Sequence, residues 1–109
     1  MMGWTVDFHP KAEKDFGKLK GSPKSHVAKA IHKASQNPLP QSEGGYGKPL
    51  GNRPSSKLAG CMKIKLKNIG IRVVYQLVRI DRIMKIVIIS VRADDEVYKE
   101  AERRINEQK

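Results

Sequence analysis

The chain has 109 residues, with 22 Lys and Arg against 11 Asp and Glu and a formal charge of +11. That length accommodates one hydrophobic core and not two, so a single domain over residues 1–109 is expected, and the charge makes a polyanion, with nucleic acid foremost, the expected partner. No apolar run approaches the roughly 20 residues of a membrane-spanning helix, the residues up to Trp4 carry no apolar secretion signal, and Cys61 stands alone with no second cysteine for a disulfide; a cytoplasmic protein with no membrane partner is expected.

Trp4, Val6 and Phe8 alternate with Thr5, Asp7 and His9, which predicts a short strand with one buried face, closed by Pro10. From Pro10 the spacing of Ala12, Phe16 and Leu19 predicts a helix whose other side carries Lys11, Lys14, Lys18 and Lys20, ended by Gly21. Ser22 as cap and Pro23 in the first position open a second helix with Val27, Ala30, Ile31 and Ala34 inward. The two helices make a hairpin.

Residues 37–56 are rich in Pro, Gly, Ser and Asn and are expected to form a long surface loop. Its glycines match neither GxxxxGK[ST] nor GxGxxG, so no phosphate loop is present. Three stretches of strong β propensity follow, over 57–67, 71–79 and 84–92, joined by Asn68-Ile69-Gly70 and by the segment from Ile80 to Ile83. They predict an antiparallel meander. Asp94 or Asp95 then caps a last helix, with Val97, Ala101 and Ile105 inward and Lys99, Glu102 and Arg103 facing water. The expected class is α+β: a strand and helical hairpin packed on the meander, with a C-terminal helix.

Lys63, Lys65 and Lys67 alternate with Met62, Ile64 and Leu66, so the pleat throws three ammonium groups onto one face of the first meander strand. A two-residue turn at Asn68 and Ile69 would set Lys65 directly opposite Arg72, and Lys63 opposite Val74. Like charges opposed across a ladder are destabilising, and a bound phosphodiester offsets that cost. A solvated strand face explains the lysines equally well. Arg92, at the end of the third strand, and Tyr98, in the last helix, are further candidates if the register brings them to the same face.

Such groups suit metal-free cleavage of RNA by its own 2′-hydroxyl, which needs a base, an acid and cations around the phosphorane. A lysine serves as base in its neutral form, which neighbouring cations favour; arginine offers a planar fork for phosphate, and a tyrosine ring offers a surface for a base to stack on. His9 is expected at the surface or as a cap, and His26 and His32 on helix exteriors; no histidine is assigned to catalysis. The spacing of the histidines suits no metal, and no cofactor is expected. Glu43, in the loop, and Glu96, in the first turn of the last helix, need no catalytic role.

Met62-Lys63-Ile64-Lys65-Leu66, Gly70-Ile71-Arg72-Val73-Val74-Tyr75-Gln76, Ile89-Ser90-Val91 and Glu96-Val97-Tyr98 together resemble RelE toxins of the RelE/ParE superfamily, and the likeness spans nearly the whole chain. Val6-Asp7-Phe8 with Pro10, Ala12, Lys14 and Leu19, and Leu58-Ala59-Gly60, extend it less specifically. The resemblance implies a type II toxin that cuts messenger RNA in the ribosomal A site. It implies that Lys63, Lys65 and Arg72 contact the message, with Lys65 the general base, Arg92 the acid and Tyr98 stacking on the cleaved nucleotide; Lys67 joins them in RNA binding. The segment between Ser90 and Tyr98 is about two residues shorter than the family pattern, which bears on the match at Arg92. A cognate antitoxin of the RelB kind is implied as partner, the monomeric toxin assembling with it into hetero-oligomers. The other readings are a ParE-like gyrase inhibitor and an RNA-binding module without catalysis.

Overall fold

The computed structural model describes residues 3–50, 58, 60–91 and 94–107, without the side chains of Asp94 and Asp95. In chain order the elements are β1 (Thr5–Phe8), α1 (Pro10–Lys18), α2 (Ser22–Gln36), β2 (Lys48–Pro49), β3 (Cys61–Leu66), β4 (Ile71–Val78), β5 (Ile83–Ser90) and α3 (Asp94–Glu107). The strands form one five-stranded sheet in the order β1-β5-β4-β3-β2. This is the expected α+β arrangement. The central strands pair antiparallel as a meander, and β1 adds to β5 in parallel, from Thr5 opposite Ile83 to Phe8 opposite Ile86.

Both faces of the sheet are covered. Ala12, Val27, Ile31 and Ala34 of the helical hairpin pack on Met62, Ile71, Val73, Tyr75, Met84 and Ile86. On the opposite face, Val97 and Ala101 of α3 pack on Cys61, Val74, Val87 and Ile88. The strand alternation therefore separates two cores, with odd positions of β3 turned toward α3 and even positions toward the hairpin. Between β4 and β5 the register slips, Val74 facing Ile88 while Tyr75 faces Ile86, so Val87 is an extra residue. That bulge lets consecutive Val87 and Ile88 both serve the α3 core.

Three expectations change. Gly21, with φ of 65°, is the N-cap of α2 and makes no side-chain capping bond; Ser22 is already helical. A left-handed residue is needed to turn out of the preceding segment, and glycine takes it at least cost. Second, the part of the expected surface loop over 37–50 is anchored and contains β2: Pro38, Pro40, Gly47 and Leu50 are buried. The Tyr75 hydroxyl, itself buried, donates to the Pro38 carbonyl at 2.8 Å, and a Cβ on Gly47 would come within 2.5 Å of that hydroxyl. Arg79 also forks onto Glu43, at 3.1 and 3.0 Å, and ties the loop to the turn between β4 and β5. Third, His9 caps but is buried. Its Nδ1 accepts from the Lys11 amide at 3.0 Å, and its Nε2 donates to the Arg104 carbonyl at 3.1 Å. The expected cap at Asp94 or Asp95 lies outside the described side chains.

A polar cluster holds α3 to the N-terminal elements. Arg104, 7% exposed, donates to Asp15 Oδ2 at 2.7 Å, to the Val87 carbonyl at 2.9 Å and to Glu100 at 3.0 Å, while Asp15 Oδ2 accepts from the Ile89 amide at 3.1 Å. Lys11 and Glu107 add an exposed pair at 2.9 Å. Removing one partner of a buried, hydrogen-bonded ion pair strands the other, a loss of about 3–5 kcal/mol. Arg104→Met is therefore expected to lower the free energy of unfolding by that amount, read as a lower urea midpoint at an unchanged m-value; a loss below about 1 kcal/mol would contradict the role given to the cluster.

The bonds of His9 require the neutral ring, because protonation would put a hydrogen on Nδ1 where the Lys11 amide already points. Burial pulls its pKa below 6.5, partly opposed by the bond to the Arg104 carbonyl, with the charges of Arg104 and Lys85 acting in the same direction as burial. The unfolded chain then binds the proton more readily, so the contribution of His9 is complete above about pH 6.5 and is lost as the pH falls through the depressed folded value. Unfolding between pH 8 and 5 is expected to show this decline in the native protein and a flatter profile in His9→Asn, which keeps a capping group but does not titrate.

Candidate nucleic-acid interface

The β3–β4 hairpin sets the geometry. Lys65 lies opposite Arg72 and Lys63 opposite Val74, the register expected from the sequence. The strands end at Leu66 and Ile71, and residues 67–70 make the turn: the Ile69 amide donates to the Leu66 carbonyl at 3.2 Å and the Gly70 amide to the Lys67 carbonyl at 3.3 Å. Gly70, at φ of 67°, closes it. Asn68 and Ile69 are thus the two central residues of the turn, at the register expected. One consequence falls on Lys67, which leaves the strand row and stands exposed on the turn.

Because they occupy odd positions of β3, Lys63 and Lys65 share the face that α3 covers, as does Arg72 across the ladder. Two cross-strand rows result. One runs Lys65, Arg72, Ser90; the other runs Lys48, Lys63, Val74, Ile88. Directly opposed side chains stand about 4.5–5.5 Å apart at Cβ, so the first row sets an ammonium beside a guanidinium. Lys63 and Arg72 are half-buried and Lys65 is exposed.

Tyr98 joins the rows from α3. It packs at the margin of the second core, its hydroxyl accepts from Lys63 Nζ at 3.2 Å, and that nitrogen lies 6.0 Å from the ring centroid. The half-buried tyrosine at the core margin thus also meets the lysine strand. Helical spacing puts Val97 and Ala101 into the core and leaves Tyr98 turned toward the lysine strand. Among the expected site residues, then, Lys63, Lys65, Arg72 and Tyr98 meet on one face, Lys67 is displaced to the turn, and Arg92 lies outside the described residues.

Sequence reasoning missed Lys48 and Ser90. Lys48 belongs to a strand of two residues, too short to leave a periodic signal, and Ser90 is placed only by the shift at the bulge. A cleft of about 230 Å³ runs beside the first row, lined by Lys65, Leu66, Lys67, Gly70, Ile71 and Arg72. The planar fork of Arg72 and the point charge of Lys65 on one wall suit a phosphodiester, and the hydroxyls of Ser90 and Tyr98 stand on neighbouring elements.

No family model matches the chain. It is 32% identical over 107 residues to a RelE-like toxin protein of Escherichia coli, covering 95% of this chain and 99% of that one. It is 28% identical over 104 residues to the mRNA interferase toxin RelE of E. coli K12, covering 95% and 99%. An arginine-substituted form of E. coli RelE in the free state superposes with a TM-score of 0.73 at 25% identity, over 95% of this chain and 99% of that one. The same toxin bound to a peptide of its antitoxin RelB superposes at 0.67, again at 25% identity, over 92% and 95%.

Proposed function

The chain belongs to the RelE family of toxins, and on that premise we propose that it is the toxin of a type II toxin–antitoxin pair, an endoribonuclease that cuts messenger RNA in the ribosomal A site. The observation that carries this reading is the meeting, on one sheet face, of Lys65 opposite Arg72 with Lys63 bonded to the Tyr98 hydroxyl.

The chemistry follows from what each group offers. In its neutral form Lys65 takes the proton of the 2′-hydroxyl, the freed oxygen attacks the adjacent phosphorus, and the bond from phosphorus to the 5′-oxygen breaks. Arg72 holds the phosphate through two parallel N–H donors and, with Lys63, opposes the charge that grows on the phosphorane. The departing 5′-oxygen takes a proton from Arg92, the group that the family resemblance puts in that role. A 2′,3′-cyclic phosphate and a 5′-hydroxyl are the products. Tyr98, held by Lys63, offers its ring to the nucleotide being cut, and Lys67 on the turn adds a phosphate contact.

The relative solved with an antitoxin peptide supports a cognate antitoxin for this chain, and its charge of +11 suits an acidic, flexible segment wrapped around it. The toxin is a monomer that enters hetero-oligomers with that partner. It acts in the cytoplasm, where ribosomes engage the message.

Primer extension on a defined message in a reconstituted translation system is expected to show cuts within codons that require ribosomes. Lys65→Ala should slow them about 10²–10⁴-fold, the range for a lost general base, and Arg72→Ala about 10²–10³-fold, as for a lost electrostatic donor. Intact message with the native protein, together with lost gyrase supercoiling, would move the chain to the gyrase-inhibiting branch. Tyr98 separates ring from hydroxyl: Tyr98→Phe should keep most of the rate, whereas Tyr98→Ala should lose about 1–3 kcal/mol of stacking, roughly 5- to 160-fold. Equal losses in both variants would assign the hydroxyl, and not the ring, to the reaction.

A further inference from the structure

A second cleft, of about 370 Å³, opens at the β3–β4 turn on the side of α2, lined by His26, Lys65, Leu66, Lys67, Asn68 and Ile69. It shares Lys65, Leu66 and Lys67 with the cleft that reaches Arg72, so the two meet around the hairpin. Its volume falls within the roughly 300–1,000 Å³ of small-molecule sites.

The walls differ in chemistry from the first cleft. Leu66 and Ile69 are half-buried, rest on the first core, and give an apolar floor. Exposed in the lining are the imidazole of His26, a planar ring, and the amide of Asn68, which both donates and accepts. A phosphate would use only the lysines. An unstacked nucleobase would use everything: its face against the ring and the aliphatic floor, its edge toward the amide, and its flanking phosphates against Lys65 and Lys67.

We propose that this cleft is a subsite for the nucleobase of the nucleotide adjoining the one held between Lys65 and Arg72, and that His26 and Asn68 give the chain a sequence preference there. The proposal rests on the reading that single-stranded RNA crosses the basic row. It adds to that row a site which holds a base and takes no part in bond breaking.

The test uses the intact protein and a 2′-O-methylated RNA pentamer, which lacks the attacking hydroxyl and cannot be cut, beside the same backbone with abasic residues. Binding is followed by fluorescence anisotropy, and the His26 ring and Asn68 side-chain amide by NMR. The base-bearing pentamer should shift both signals and the abasic one should not. His26→Ala should weaken the base-bearing pentamer about tenfold and leave the abasic one unchanged, with Asn68→Ala altering the ranking among pentamers of different sequence. Equal weakening of both probes, unshifted signals, or no saturable binding to either would overturn the subsite. Base-dependent binding that survives alongside uncut message on ribosomes would instead retain the subsite and remove the nuclease reading.

Discussion

β5 outlasts the strand beside it. β1 ends at Phe8, opposite Ile86, while β5 continues to Ser90, so backbone groups beyond Ile86 would be left at an unpaired edge between two packed helices. Buried amides and carbonyls must find partners, and here two side chains supply them: Asp15 receives the Ile89 amide and Arg104 donates to the Val87 carbonyl. The ion pair between these residues completes the sheet in place of a longer β1. Because Asp15 belongs to α1 and Arg104 to α3, the same completion fixes both helices, on opposite faces, against a single strand.

That constraint reaches the site through α3. Arg104 and Tyr98 share the helix, so the anchoring that satisfies the β5 edge also sets where the tyrosine hydroxyl stands beside Lys63. The bulge acts in the same direction. Without the extra Val87, either that residue or Ile88 would point away from α3, and Ser90 would not fall in the row of Arg72. Strong polar and apolar ties thus hold the helix over one half of the sheet face, while the other half carries opposed cations that favour occupancy by an anion.

Much of this was legible in the sequence. The alternation through Cys61–Leu66 gave the lysine face, and the short connection to Ile71 set the register that places Lys65 across from Arg72. The spacing of Val97 and Ala101 gave the buried side of α3. What escaped was nonlocal. Nothing near His9 signals that its second nitrogen reaches Arg104, 95 residues away, and an arginine four residues after Glu100 reads as an exposed helix pair until Asp15 arrives from another element. The anchored segment around Gly47 has loop composition because its ties, to Tyr75 of β4 and to Arg79, come from residues far along the chain. Parallel pairing of β1 with β5 leaves no mark in either strand.

The ties between α1 and α3 also order events in time. Asp15 and Arg104 are separated by 89 residues, and Lys11 and Glu107 by 96. Contacts of such separation form late, since the loop they close costs entropy that only the assembled sheet repays. During synthesis the helical hairpin and most of the meander emerge before Arg104 does, and until then the Val87 carbonyl lacks its Arg104 donor and Tyr98 has no fixed address. A nascent chain therefore carries its cationic strands without the helix that completes their face, and the finished arrangement appears only once the far end of the chain folds back on the near one.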